Sequence, residues 1–220
     1  MKCDVCNTNM AGQLYHMDAF GNRAHAYHDT CDSCSAFIIG QSHLLGDGRK
    51  TCHTCFTNAV SDKSTARQAN ELTIQLFRGI GINLPQSKIS LFVNDKVFAV
   101  NEWNSPRFLG KVFTTEGSNK TYSVHVLYGL HKIVFMSVLA HELMHVYQYE
   151  NNIQLPDIQC EGLCELVCYF VLDASRTKIG KVIMKRMEES KDPVYGDGFR
   201  LMYNRLDKVG NWSAFLKGLK

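Results

Sequence analysis

Ile133-Val134-Phe135-Met136-Ser137-Val138-Leu139-Ala140-His141-Glu142-Leu143-Met144-His145 is the stretch on which the reading of this chain turns. Its first eight residues are apolar almost all round, as a buried helix requires. A His-Glu pair placed directly after such a run is costly to bury unless something neutralises it, and a metal ion does so. On a helix, His141 and His145 stand one turn plus roughly 40° apart, so both imidazoles leave one face. Two imidazoles at that separation share one Zn²⁺, with Glu142 beside them facing a zinc-bound water.

A third ligand is needed, and Glu161 is well placed to supply it. Asn151-Asn152 ends the helical pattern, and Pro156-Asp157 opens a second helix, expected from Asp157 to about Ser175. Fifteen residues separate His145 from Glu161, enough for a helix end, a tight turn and an antiparallel return. A His2Glu set leaves the fourth position open for water, which is the catalytic arrangement. Glu165, one turn beyond Glu161, has two readings: a hydrogen-bond partner for a ligating imidazole, or a solvated helix face. Cys160, Cys164 and Cys168 repeat every four residues on the same helix and read mainly as small buried side chains, with metal ligation as the other option.

The N-terminal quarter carries an independent signal. Cys3, Cys6, His25, His28, Cys31, Cys34, Cys52 and Cys55 form four pairs, each separated by two residues. Two-residue gaps let both side chains of a knuckle reach one ion, and eight ligands make two tetrahedral zinc sites. The expected sets are Cys3, Cys6, His25 and His28 for one ion, and Cys31, Cys34, Cys52 and Cys55 for the other. His16, His43 and His53 fall outside this ladder and read as surface residues. The ladder resembles a LIM domain, with His28 where most such modules have cysteine, and with Ala24 and Thr30 where aromatic residues often precede the ligands. LIM modules generally bind proteins, so the resemblance implies a protein partner. A zinc ribbon for nucleic acid is disfavoured by a net charge of only +3 and by the lack of a Lys/Arg cluster in residues 1–58.

Thiolates committed to zinc suit a reducing compartment, and Met1-Lys2-Cys3-Asp4 does not read as the start of a signal peptide. No apolar run approaches the ~20 residues of a membrane span. The expectation is a cytoplasmic protein with no membrane or nucleic-acid partner.

Thr57 to Thr65 reads as a short linker, and Ala69, Leu72, Leu76 and Ile80 as a helical stripe. Ile89, Leu91 and Val93, then Val97 and Ala99, alternate about Asn94-Asp95 as in a hairpin. Arg107 to Thr115 and Thr121 to Leu127 read as further strands, joined through Gly117-Ser118-Asn119-Lys120, and no internal repeat is evident. The expected architecture is α+β: a LIM-like module over residues 1–58, then one domain over residues 59–220 with a small antiparallel sheet, active-site helices and C-terminal helices. Sheet followed by a His-Glu helix is the order of zincin peptidases, here of the gluzincin kind. In that fold the last strand before the helix pairs with substrate, a role that would fall to Thr121–Leu127. His125 within it reads as an ordinary strand residue.

Leu127-Tyr128-Gly129-Leu130, Leu139-Ala140-His141-Glu142-Leu143-Met144-His145, Glu161-Gly162-Leu163-Cys164 and Tyr195-Gly196-Asp197-Gly198-Phe199-Arg200 together resemble the plant organ-size-regulating peptidase family, which joins LIM-like modules to a His-Glu-x-x-His peptidase. The resemblance implies a zinc endopeptidase acting on protein or peptide substrates, with Glu161 as third ligand and three Zn²⁺ ions, one catalytic and two structural. No acidic Ala/Ser helix of the family's ubiquitin-interacting type is evident, so ubiquitin dependence is not carried over. In the expected chemistry Glu142 takes a proton from the attacking water and returns it to the leaving amine. Tyr195, in a Gly-rich segment, is the candidate oxyanion donor, against the alternative of a turn tyrosine packed on the core. The competing function is a non-catalytic LIM-type adaptor with a degenerate peptidase domain.

Overall fold

The computed structural model describes residues 1–103, 109–115, 117 and 120–219. Its N-terminal part is two small hairpins, each presenting a knuckle. Strands β1 (Tyr15–Met17) and β2 (Arg23–His25) pair antiparallel, as do β3 (Ser42–Leu44) and β4 (Lys50–Cys52). The helix α1 (His53–Thr57) follows and carries Cys55.

The two knuckles are built alike, a repeat that the sequence reading passed over. Asn7 N–H donates to Cys3 O and Ser35 N–H to Cys31 O, both at 2.8 Å. Asp4 Oδ2 accepts from Arg23 N–H and Asp32 Oδ2 from Lys50 N–H, both at 2.6 Å. Asn7 and Ser35 have positive φ, 59° and 61°, at the same point of the turn. The shared signal is Cys-Asp-x-Cys, too short to stand out as a repeat among dissimilar neighbours.

Residues 57–65 are structured rather than a free linker. Strand β5 (Ala59–Val60) pairs antiparallel with β9 (Leu130–His131), and Asp62 caps α2 (Lys63–Gly79) by accepting from Thr65 N–H at 2.8 Å. A 3₁₀ turn over Gln86–Lys88 leads into β6 (Ile89–Asn94). The expected hairpin beyond it does not form. Asp95 accepts from Phe98 N–H at 2.7 Å and starts α3 (Lys96–Trp103), because an Asp at that position competes as a helix cap where a turn was expected.

The sheet that matters for the site contains β6, β7 (Gly110–Thr114) and β8 (Tyr122–Leu127), in the order β6-β8-β7. Strand β8 is parallel to β6 and antiparallel to β7, so the sheet is mixed rather than antiparallel. This corrects the substrate-strand expectation: β8 is central and its ladder is used on both sides, while β6 and β7 form the two edges among the described residues, β7 being the one over α4. Arg107, Ser118 and Asn119 lie outside the described residues.

Helix α4 (Lys132–Glu150) follows β9 and is capped by His131, whose ring accepts from Ile133 N–H. It packs against β8, β7, α2 and α5 (Asp157–Ser175). Phe135, Leu139, Ala140, Leu143, Met144 and Val146 on α4 are fully buried. The remaining helices are α6 (Lys178–Glu189), α7 (Tyr195–Val209) and α8 (Trp212–Lys217). The apolar core around α4 is continuous with Cys31, Cys34, Ala36, Ile38 and Cys55, whereas Cys3, Met10, Ala24 and Phe37 form a separate small cluster. Among the described residues no helix is long and apolar enough to cross a membrane.

Candidate metal centre and cleft

The N-terminal ligand sets converge as expected. The candidate donor atoms of Cys3, Cys6, His25 and His28 lie within 4.8 Å of one another, and so do those of Cys31, Cys34, Cys52 and Cys55. Cys34 Sγ and Cys52 Sγ are 4.0 Å apart, and Cys6 Sγ is 3.6 Å from His25 Nδ1. Zn–S bonds of about 2.3 Å in a tetrahedron require sulfurs about 3.8 Å apart, so the spacing fits zinc and excludes disulfides. His28 Nε2 is buried without a hydrogen-bond partner among the described residues, which suits a metal-ligating nitrogen. His43 and His53 face each other at 3.1 Å on the exposed side, outside both sets.

On α4, His141 and His145 project together, their ring centroids 5.0 Å apart. Glu161, on the first turns of α5, answers them from the opposite wall. Its carboxylate oxygens lie 3.1 Å from His141 Nε2 and 3.7 Å from His145 Nε2. The other nitrogen of each ring is held by the protein: His141 Nδ1 is 3.1 Å from Glu165 Oε1, and His145 Nδ1 is 3.1 Å from Gln148 Oε1. Both rings therefore turn their Nε2 atoms toward Glu161. Glu161 Oε2 is buried, 3.1 Å from His141 Nε2 but without a well-aligned hydrogen bond, an arrangement that a shared cation would satisfy. The His, His and Glu donor types suit a divalent metal, and Glu161 faces both Nε2 atoms, although the donor atoms within 4.8 Å of one another here are those of His141, His145 and Cys164.

Cys164 offers a rival, since its Sγ is 3.5 Å from His145 Nδ1 and it groups with both histidines. The Glu161 set is the better match. Cys164 is fully buried and lies 3.5 Å from His145 Nδ1, which Gln148 already occupies, and 3.7 Å from Nε2, whereas Glu161 borders an open cavity. Cys168 likewise packs inward, its thiol donating to Ser137 O at 3.1 Å. Burial accounts for both.

Gln148 is the site residue that sequence reading missed. It is 3% exposed, and while its Oε1 meets His145, its Nε2 donates to Cys160 O at 3.1 Å, tying α4 to α5. The available signal was its position three residues after His145 on the buried side of α4, but glutamine carries no motif of its own.

Glu142 lies between the metal-facing groups and the edge strand. Burial, reinforced by the Glu161 carboxylate, pushes its carboxyl up to about 7, despite His141, Lys111 and the Val112 backbone, which all favour the charge. Gly110 of β7 passes directly over it: a Cβ there would lie 3.2 Å from Glu142 Cγ and 2.6 Å from Val138 Cγ1. Only glycine lets the edge strand approach so closely.

Tyr195 opens α7 at the cleft, its ring centroid 6.3 Å from that of His141, and it remains 38% exposed. With Gly110, His141, Glu142, His145 and Glu161 it lines a cavity of about 240 Å³. Its position follows from helix packing, because Gly162 and Gly198 let α5 and α7 touch backbone to backbone. A Cβ on Gly162 would lie 2.3 Å from Gly198 C. His125 stands on the other face of β8, stacked on Phe92 at 4.8 Å and hydrogen-bonded to Asn94, outside this cavity.

Residues 111–178, which include the whole of β8, α4 and α5, match the family model described as DA1-like: Protein DA1. That segment is similar to a DA1-like domain. It is 24% identical to Protein DA1 of Arabidopsis thaliana over 95% of this chain and 54% of that protein. It is 23% identical to Protein DA1-related 2 of the same plant, over 90% of this chain and 53% of that one. LIM domain-containing protein HDR3 of Oryza sativa subsp. japonica is 22% identical, over 95% of this chain and 59% of its own. The chain thus spans about half the length of the curated relatives it matches. No solved structure matches it. The kinship expected from the four quoted motifs holds, and a rice relative is named for the LIM domain that the Cys/His ladder resembles.

Proposed function

We propose that this DA1-like chain is a zinc-dependent endopeptidase, organised as a LIM-like module over residues 1–58 and a gluzincin-type domain over residues 59–220. The observation that carries the reading is Glu142, buried beside His141, His145 and the buried Glu161 oxygen, and facing a cavity roofed by an edge strand. His141, His145 and Glu161 would hold one zinc ion, and the two Cys/His sets two more. Zinc in the first site would supply Lewis acidity toward a peptide carbonyl and lower the pKa of water toward about 7.

The chain's own residues supply the rest. The free edge of β7 takes the substrate backbone as an added strand, setting the scissile carbonyl over Glu142. Glu142 accepts the proton of the attacking water on its carboxylate and then passes it to the leaving nitrogen. Tyr195 O–H donates to the carbonyl oxygen as negative charge develops there. Glu165 and Gln148 keep the two imidazoles oriented.

The test is cleavage-product mass spectrometry on a proteome digest, comparing wild type with Glu142→Gln. The variant should retain three zinc ions and lose activity by about 100-fold or more, the range of a general base. A Glu142→Gln protein that cuts as fast as wild type overturns the assignment. Tyr195→Phe should lower kcat by about 100-fold with KM little changed if it is the oxyanion donor.

A further inference from the structure

The cavity at Glu142 does not stop there. A larger one of about 610 Å³ extends from His141 and Glu142 along α4 and is walled by Val138, Leu172, Ile183 and Met187. A third, of about 350 Å³, shares seven lining residues with it, Val138, Ile183 and Met187 among them, so the two form one groove. The far wall of this outer part is not from the DA1-like segment. It is Ser33 and Ser35, the residues on either side of the zinc-type donor Cys34.

That wall is fixed by the knuckle itself. Ser35 N–H donates to Cys31 O at 2.8 Å, and Ser33 Oγ accepts from His131 N–H at 2.9 Å, at the N-cap of α4. The charges in the outer cavity are also unequal. Glu165 is turned to His141 at 3.1 Å, while Arg186 of α6 makes no hydrogen bond or ion pair among the described residues. Arg186 is an exposed side chain that lines this cavity with Ser33 and Ser35, and its guanidinium, without a partner among the described residues, is available to a carboxylate.

Resting on the peptidase reading above, we infer that the second zinc knuckle is a wall of the substrate groove, which selects an extended peptide with a bulky apolar side chain beside the scissile bond and an acidic side chain further out, opposite Arg186. The apolar side chain fills the inner cavity between α4 and α6. The acidic one pairs with Arg186 against Ser33 and Ser35. The N-terminal module is then part of substrate recognition rather than a tether alone.

The experiment is peptide-library cleavage by the full-length, zinc-loaded chain, compared with Arg186→Glu, Ser35→Asp and Ile183→Trp, with zinc content measured for each. Aspartate is chosen at position 35 because it tolerates the positive φ found there. Wild type should favour Leu, Met or Phe beside the cut and Asp or Glu a few residues away. Arg186→Glu should reverse the acidic preference to a basic one, and Ser35→Asp should raise KM for acidic peptides about tenfold with kcat unchanged. Ile183→Trp should shift the preference beside the cut to smaller side chains. A wild type that cuts, with Arg186→Glu and Ser35→Asp leaving its sequence preference unmoved at full zinc content, overturns this inference alone. A fully zinc-loaded wild type that cuts no peptide overturns the peptidase reading, and this one with it.

Discussion

Gln148 shows how much of the candidate metal centre lies beyond its candidate ligands. Its amide oxygen faces His145 Nδ1 and its amide nitrogen donates to α5, so one buried side chain sets a ring's tautomer and a helix spacing together. Gln148→Leu removes both contacts. Affinity at the His141 site should fall by about 10- to 100-fold, with the N-terminal zinc retained, as read by titration against a chelator. Gln148→Glu keeps an acceptor for Nδ1 and should recover most of that loss. Identical affinity in Gln148→Leu would show the amide to be packing alone. At this scale His141, Glu142, His145 and Glu161 were legible because ligand chemistry restricts residue types and helix geometry fixes their spacing. Gln148 and the orientation of Glu165 were not, because an amide or carboxylate declares its role only through what it touches.

Among the elements, α5 and α7 meet through Gly162 and Gly198, and the contact has no slack. Gly162→Ala must push the helices apart. Overpacking of this kind destabilises by about 1–3 kcal/mol, visible as a lower Tm, and it should draw Tyr195 from the cleft. The far end of α4 is held differently. Tyr122 O–H donates to Glu150 at 2.6 Å and Lys88 Nζ at 3.0 Å, and these bonds hold the Glu150 carboxyl below its usual value of 4.5, in spite of some burial. Because the folded state lowers this pKa, its stabilisation is complete above 4.5 and is lost as pH falls through the folded value. Urea melts of wild type and Glu150→Gln should therefore differ at pH 6 and converge toward pH 3, and a gap that widens in acid would contradict the assignment. The limits of α4 and α5 could be read from caps and apolar periodicity. The edge position of β7 could not, since strand order depends on pairing partners distant in sequence, and alternation looks the same in a central strand and an edge strand.

Over the whole molecule, the N-terminal knuckles are not beads on a string. Arg49 is 4% exposed, donates to Asp47 at 2.9 Å and to Tyr128 O at 2.6 Å, and lies over the Tyr128 ring. Asp47 in turn accepts from Lys96 N–H at 2.9 Å; burial alone would raise its carboxyl, but that bond and Arg49 outweigh it and hold it below the usual range. Leu45 packs on Gly129, where a Cβ would lie 2.5 Å from Leu45 Cδ1. Arg49→Ala leaves Asp47 with only the backbone N–H donors of Lys96 and residue 49, a loss of about 1–3 kcal/mol, and should expose residues 57–63 to limited proteolysis. Cys31→Ser should destabilise both halves in one cooperative transition, because Cys31, Cys34 and Cys55 share the core around α4. Cys3→Ser should spare that core, since its cluster is separate; calorimetry distinguishes the two. The candidate ligands, helix placement and the two zinc-type sets could be written down from residue order, because each rests on short-range spacing and side-chain chemistry. Which strand forms the edge, and that the second knuckle closes the groove beside Glu142, emerged only on folding. The strand order joins residues up to 33 positions apart, and the knuckle contact joins Ser33 to His131, 98 positions away; packing, not pattern, brings them together.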